Sequence, residues 1–142
     1  MDTSKEIIKL LIDMVREDSV PAIGCTEPVA VAYASSVAKK HLEGEIGNIT
    51  VNGNTGTNVD TTGGTTTSPV NTSTNEWGLD LAASLGAICG DFKDGLCIFK
   101  NVNQEYLDRA HEMISKNKIK VNWALNTPDV YVEIIMENID NR

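Results

Sequence analysis

The sequence predicts an α+β fold, with α/β as the alternative, in which about four helices pack on a small mixed sheet. Four stretches have the apolar spacing, the small or apolar composition or the capping residues of helices, and in others apolar side chains alternate with polar ones, as in strands. The order along the chain is α-α-β-loop-α-β-α-β-β, and it contains no internal repeat. The 142 residues fit one domain, residues 1–142.

The four predicted helices differ in their surfaces. Residues 4–17 carry one apolar stripe. Residues 27–42 are rich in alanine and serine, so this helix can approach its neighbours closely, and we expect it to be central and buried. Residues 78–89 are apolar nearly all round, which also indicates burial. Residues 104–117 follow Asn103, a residue type that caps helices well.

Strands are predicted at residues 46–53, 96–99, 119–125 and 130–136. The last two flank a turn, so we expect them to pair as an antiparallel hairpin. Between residues 55 and 76 lies a threonine-rich segment, with nine threonines and three glycines by residue 74. Such low complexity is typical of a loop, but threonine also favours strands, so a loop and a solvated ribbon both stay open.

The composition argues against several functional classes. A net charge of −8 repels phosphate backbones, so we expect no binding to nucleic acid. No apolar run approaches the ~18 residues of a membrane helix, and the first residues lack the apolar core of a signal peptide. We therefore expect a cytoplasmic protein without membrane association. Three cysteines are too few for a disulfide framework and should be free thiols or ligands.

The stretch around Cys25 is the strongest local candidate for chemistry. Gly24 allows a sharp turn, Thr26 and Glu27 fit a helix start, and Pro28 fits a first helical turn. The positive end of that helix would favour the thiolate of Cys25 over the thiol. Both a reactive thiolate and a small buried residue in a tight turn fit this pattern. Glu27 fits either a substrate contact or, more simply, a carboxylate favoured by the helix dipole.

The other cysteines and the histidines give weaker signals. Cys89 and Cys97 lack a CxxC-type spacing and lie in apolar surroundings, so a role in the core is favoured over metal binding. A cluster held by all three cysteines is the less favoured alternative. His41 and His111 lie among charged residues and are interpreted as surface residues. The sequence therefore predicts no metal site in this chain.

Three longer stretches are distinctive, namely PAIGCTEPVAVA at residues 21–32, GLDLAASLGAICGD at 78–91 and GLCIFKNV at 95–102. Together with Gly53-Asn54 and the elements that follow, they resemble the L-cysteine desulfidase family, relatives of the alpha chain of iron–sulfur L-serine dehydratases. The first stretch is long and unusual in composition, and it is the most specific of the three. The resemblance implies that this chain corresponds to the N-terminal third of such an enzyme.

The resemblance also implies a β-elimination. L-cysteine loses sulfide, and the aminoacrylate that remains hydrolyses to pyruvate and ammonia, while L-serine is the related alternative substrate. By resemblance, Cys25 is the base that removes the α-proton, and Gly24, Thr26, Glu27 and Asn54 bind the substrate. The family further implies a [4Fe–4S] cluster as Lewis acid, and no pyridoxal phosphate is expected.

The chain departs from the family pattern in two ways. The cluster-binding cysteines belong to a part of the family that this chain does not match, so we expect a second chain to supply that part. The threonine-rich segment at residues 55–76 replaces an apolar strand and loop, and no functional residue is carried across it. We thus expect a lyase domain that is inactive alone. The alternative is a non-catalytic module that binds a small amino acid or a partner chain, and exposed apolar surface could also drive formation of a homo-oligomer.

Overall fold

The computed structural model describes residues 3–19, 26–54, 69–71, 76–128 and 131–140. In these ranges the elements follow the order α1 (Thr3–Asp18), α2 (Thr26–His41), β1 (Ile46–Asn54), β2 (Pro69–Asn71), β3 (Glu76–Trp77), α3 (Leu79–Cys89), a 3₁₀ helix (Phe92–Cys97), α4 (Gln104–Ser115), β4 (Ile119–Trp123) and β5 (Tyr131–Asn138). The predicted α+β class is confirmed. None of the helices in this part of the chain combines the length and the apolar character needed to cross a membrane.

Strand β1 is the centre of a three-stranded mixed sheet with the order β4-β1-β5. It runs parallel to β4, with Ile49 opposite Ile119, and antiparallel to β5, with Ile49 opposite Met136. Ile49 and Val51 are fully buried on one face of this strand. Helix α3 packs against β1 and β4, and α2 packs against β5. The helices therefore cover the apolar face of the sheet.

A polar ladder crosses the opposite face of the sheet. The Asn122 side chain donates to Asn52 at 2.9 Å, and the Asn52 side chain donates to Glu133 at 2.7 Å. These three residues occupy matching register positions on the three strands. Since a one-residue slip would turn every side chain to the wrong face, this ladder and the buried face specify the same register.

The predicted hairpin between the last two strands is wrong. β4 and β5 each pair with β1, and they lie on its opposite sides. The connection between them, residues 124–130, exceeds the 2–5 residues or so of a typical hairpin loop. It is thus long enough to pass from one side of β1 to the other. The buried Ile49 and Val51 of β1 favour pairing with a strand at each of its edges.

Helices α2 and α3 form the centre of the core, as predicted. Six residues of α2 are buried, and α3 is buried from Leu81 to Ala87. The two backbones approach so closely at Gly86 that a Cβ there would lie 2.2 Å from the carbonyl oxygen of Ala32. Alanine, serine and glycine at this contact are what permit the approach, because larger side chains would hold the helices apart.

The strand predicted at residues 96–99 is wrong. The chain instead forms the 3₁₀ helix, in which Gly95 interrupts the helical backbone with φ 54° and ψ −122°. Asp91 caps this helix by accepting from the backbone N–H of Lys93 at 3.0 Å. Ile98 and Phe99 follow in a turn and are buried. A short apolar run fits a buried turn as well as a strand, so periodicity could not separate them.

An asparagine flanks helix α4 at each end. Asn103 caps it as predicted, since its side chain accepts from the backbone N–H of Tyr106 at 3.0 Å. The helix ends at Ser115, two residues earlier than predicted, because Asn117 adopts a left-handed conformation with φ 55°. The N–H of Lys118 then donates to the Met113 carbonyl at 3.0 Å, which is the arrangement of a Schellman motif.

The threonine-rich segment is described only in part. Pro69–Asn71 pairs antiparallel with Glu76–Trp77, and this small two-stranded sheet contains β2 and β3. A ribbon is therefore present at the end of the segment. Residues 55–68 and 72–75 lie outside the described residues.

Helix α1 carries the predicted apolar stripe but buries none of its residues. Seven large apolar side chains are each 45% to 65% exposed, namely Ile7, Ile8, Leu10, Leu11, Ile12, Met14 and Val15. This helix therefore differs from α2, α3 and α4, each of which has buried residues within the described domain.

Candidate functional site

The first turn of α2 is the part of the candidate site that the structure describes best. The helix begins at Thr26, with Glu27 half-buried and Pro28 buried in the first turn. Proline suits this position because a first-turn N–H has no partner inside the helix. The predicted helix start is thus confirmed to within one residue. Gly24 and Cys25 lie outside the described residues, and their roles stay predictions.

A recess of about 280 Å³ opens beside this helix start. It is lined by Thr26, Val29, Ala30, Tyr33, Gly95 and Leu96. Its walls are mostly apolar, and its volume lies near the ~300 Å³ lower end of ligand pockets. The positive φ of 54° at Gly95 brings the 3₁₀ helix around to form one wall. A small ligand with an apolar part would fit this space, and its polar groups could face the start of α2.

The structure places the predicted substrate-binding residues in two neighbourhoods. Thr26 lines the recess, whereas neither Glu27 nor Asn54 is among its described lining residues. Asn54 ends β1, where its amide nitrogen lies 3.5 Å from both Thr127 Oγ1 and the Pro128 carbonyl. Asn54 therefore contacts the connection between β4 and β5.

Cys89, the last residue of α3, is held as a neutral thiol. Its Sγ donates to the Leu85 carbonyl at 3.3 Å. Burial raises the pKa of the Cys89 thiol from 9.0 to about 11, and the charge of Arg109 opposes this shift only in part. A thiol with a raised pKa is a weak nucleophile and a weak metal ligand at neutral pH. This supports the prediction that Cys89 belongs to the core.

The described residues do not fit an iron–sulfur cluster. Within the described ranges, no three His, Cys, Asp or Glu side chains lie together in a way that could hold a metal ion. Cys97 is half-buried at the end of the 3₁₀ helix, and the Cys89 thiol is engaged with α3 itself. Cluster binding needs several thiolates in one place. His41 and His111 are exposed, as predicted for surface residues.

A second recess of about 380 Å³ was not predicted from the sequence. Its charged lining residues are Lys39, Arg109, Lys116 and Lys118 together with Glu45 and Glu112. Lys116 forms an ion pair with Glu112, and positive charge remains in excess in a chain whose net charge is −8. Such an excess attracts small anions. These basic residues come from distant parts of the chain, so no local pattern could have shown that they meet.

The fold and the first recess define a class, namely an α+β domain with space for a small ligand beside a helix N-terminus. In sequence, the chain is similar to proteins named UPF0597. It is 41% identical over 135 residues to one from Clostridium botulinum (strain Okra / Type B1), a match that covers 95% of this chain and 30% of that protein. It is 40% identical over 134 residues to a UPF0597 protein from Thermosipho melanesiensis, a match that covers 91% of this chain and 31% of that protein.

The chain thus spans about 30% of the length of the curated relatives it matches. A protein from Clostridium tetani shows the same proportion, with 34% identity over 138 residues, 94% of this chain and 30% of that protein. The name UPF0597 states no activity and does not mention the desulfidase or dehydratase families. No protein-family model matches the chain, and no solved structure matches it.

Proposed function

We propose that this chain is the N-terminal domain or subunit of a lyase similar to L-cysteine desulfidase and L-serine dehydratase, and that it is inactive alone. One observation carries the proposal most directly. Helix α2 begins at Thr26, so the stretch at residues 21–32 that resembles this family includes a helix N-terminus beside a recess of small-ligand size. Electrostatically, that is where a thiolate and a substrate carboxylate would both be stabilised.

In the proposed reaction, Cys25 acts as the base. Its thiolate takes the α-proton of L-cysteine, the electron pair of that C–H bond forms the Cα=Cβ double bond, and the Cβ–S bond breaks to release sulfide. The aminoacrylate then tautomerises to an imine, and water hydrolyses the imine to pyruvate and ammonia. The role of Thr26 would be to contact the substrate in the recess, and Gly24 and Glu27 would help to position it.

The family's [4Fe–4S] cluster stays part of this proposal, but we derive no step through it. The described residues of this chain do not fit the cluster, and the resemblance places its ligands in the part that the chain does not match. About 70% of the length of each relative lies outside the match, which leaves room for a cluster domain in the same polypeptide or in a second chain. This is why the isolated chain is expected to be inactive.

A chimeric protein tests the proposal. The matched residues of this chain would replace their counterparts in the full-length C. botulinum protein, and pyruvate and sulfide formation from L-cysteine would be measured anaerobically, with L-serine in parallel. We expect the chimera to form pyruvate and the isolated 142-residue chain to form none. Cys25→Ser should lower the rate about 100-fold or more, the scale of a lost general base.

Cys97→Ser is the matched control, because it removes a half-buried thiol outside the stretch at residues 21–32 that contains Cys25, and it should leave the rate within about threefold. A Cys25→Ser chimera that keeps the full rate would show that Cys25 is not the base. If the natural C. botulinum protein forms no pyruvate from either amino acid, the lyase proposal is wrong.

The second candidate is a non-catalytic module that binds a small amino acid or a partner chain. It accounts equally well for the described residues, among which no group of side chains could hold a metal ion. Calorimetric titration of the isolated chain with L-cysteine and L-serine separates the two candidates. Binding without turnover by the chimera would support the module, while turnover that depends on Cys25 would exclude it.

A further inference from the structure

We propose that the apolar face of α1 docks into a groove formed by the part of the relatives that this chain does not match. The seven exposed apolar side chains of α1 form this face, and no residue of the helix is buried. A contiguous exposed apolar surface of this kind marks an interaction site. The proposal rests on the packing of α1 and is independent of the lyase reaction.

The width of the face indicates what covers it. At about 100° per residue, the apolar side chains from Ile7 to Val15 span an arc of about 200° around the helix. The charged side chains of Lys5, Glu6, Lys9, Asp13, Arg16 and Glu17 fill the rest of the circumference. Of the charged residues only Asp18, the last helical residue, lies on the apolar side, which it shares with the polar residues Thr3 and Ser4 of the first turn.

An arc of this width is too broad for one partner helix. The seam of a two-stranded coiled coil covers only about two positions in seven, so pairing with a second α1 would leave much of the face in water. A groove with walls from at least two elements would cover it. The remaining 70% or so of the relatives' length is large enough to supply such a groove.

The lack of packing around α1 supports the same conclusion. Most helical stability in proteins comes from packing of the apolar face against other elements, and a single helix of this length has little stability of its own in water. With 16 residues and no buried side chain, α1 has little packing within the described domain. A covering groove would supply that missing stabilisation.

Docking of α1 would also determine which parts of the protein the segment before α2 connects. Residues 20–25 connect α1, which ends at Asp18, to α2, which belongs to the domain core. If α1 packs on the remainder of the protein, this connecting segment with Gly24 and Cys25 joins that remainder to the domain described above.

Hydrogen exchange tests the proposal without any activity assay. In the isolated chain, we expect the α1 amides to exchange within about tenfold of unstructured rates, while the α3 amides stay protected. In the full-length C. botulinum protein, whose match covers 95% of this chain, the segment aligned with residues 7–15 should exchange about 100-fold more slowly or slower still.

The chimera then tests the face itself. Leu11→Gln with Met14→Gln keeps good helix formers and should return the α1 amides to fast exchange. Leu125→Gln is the control, because Leu125 is 74% exposed outside α1, and it should change nothing. Fast exchange of the aligned segment in the natural relative would overturn the proposal. Protection of α1 in the isolated chain that grows with concentration would do so as well, because it would assign the face to a second copy.

Discussion

Replacing Gly86 by alanine should destabilise the domain strongly, although alanine is the better helix former. The added Cβ would lie 2.2 Å from the carbonyl oxygen of Ala32, 2.6 Å from its Cα and 2.7 Å from its carbonyl carbon. All three atoms belong to the backbone, so no rotamer change relieves the contact. The two central helices must instead move apart by about 1 Å, and gaps of that size forfeit about a quarter to a half of each dispersion contact.

The expected cost follows from two opposing contributions. Overpacking a well-packed core costs about 1–3 kcal/mol of stability. Because the added Cβ of Gly86→Ala clashes only with backbone atoms, we expect its cost to lie at or just above the upper end of that range. The higher helix propensity of alanine opposes this cost, because Gly→Ala in a helix interior stabilises the helix by about 1 kcal/mol. We therefore expect a net loss of about 2–3 kcal/mol in the free energy of unfolding.

Urea denaturation followed by far-ultraviolet circular dichroism measures this loss as a lower midpoint at an unchanged slope. Gly53→Ala is the matched control, because among the described residues its Cβ would meet only the Tyr131 carbonyl oxygen, at an ordinary 3.6 Å. It should change the stability by less than about 0.5 kcal/mol. A Gly86→Ala protein as stable as the parent would show that α2 and α3 do not approach so closely in solution.

Two further predictions concern buried polar groups. Within the described residues, the buried hydroxyl of Ser35 has no hydrogen-bond partner, so Ser35→Ala should stabilise the domain by about 1 kcal/mol in the same urea assay. Ser84→Ala, in contrast, removes a hydroxyl that donates to the backbone carbonyl of Asp80 at 2.7 Å, and stabilisation by both variants alike would contradict this reasoning. The pKa of Cys89 is raised from 9.0 to about 11 in the folded state, so the thiol of the unfolded chain ionises first as the pH rises. The contribution of the Cys89 thiol to the free energy of unfolding is therefore complete below pH 9.0 and declines as the pH rises from there toward about 11. The stability difference between the parent and Cys89→Ala should therefore narrow over that pH range, and a constant difference would refute the raised pKa.

Much of the helical structure could be predicted because its causes are local. The spacing of apolar residues identified α1, small and apolar side chains identified α2 and α3, and Asn103 marked the start of α4. Strand pairing could not be predicted in the same way. The alternation in β4 and β5 is clean enough for the two strands to pair with one another, but both pair with β1. Which strands pair depends on which strand has the most buried face in the folded domain.

In the candidate site, too, the local feature could be predicted and the feature formed by distant residues could not. The helix start at Thr26 follows from Thr26, Glu27 and Pro28 themselves, and the structure has the helix begin there. The recess beside it needs Gly95 and Leu96 from a distant part of the chain. The sequence predicted a strand at residues 96–99, which include Leu96, because the 3₁₀ helix and its backbone reversal at Gly95 leave no trace in the apolar pattern.

The central position of β1 also has a consequence for the order of events during synthesis. The two side-chain bonds that tie Asn52 to its neighbouring strands span 70 and 81 positions of the chain. Such long-range pairing makes folding slower than local pairing does, because a long loop must close first. The sheet cannot be completed until Tyr131–Asn138 has been synthesised, and a ribosome that stalls before Tyr131 would leave β1 with an unpaired edge, which invites aggregation.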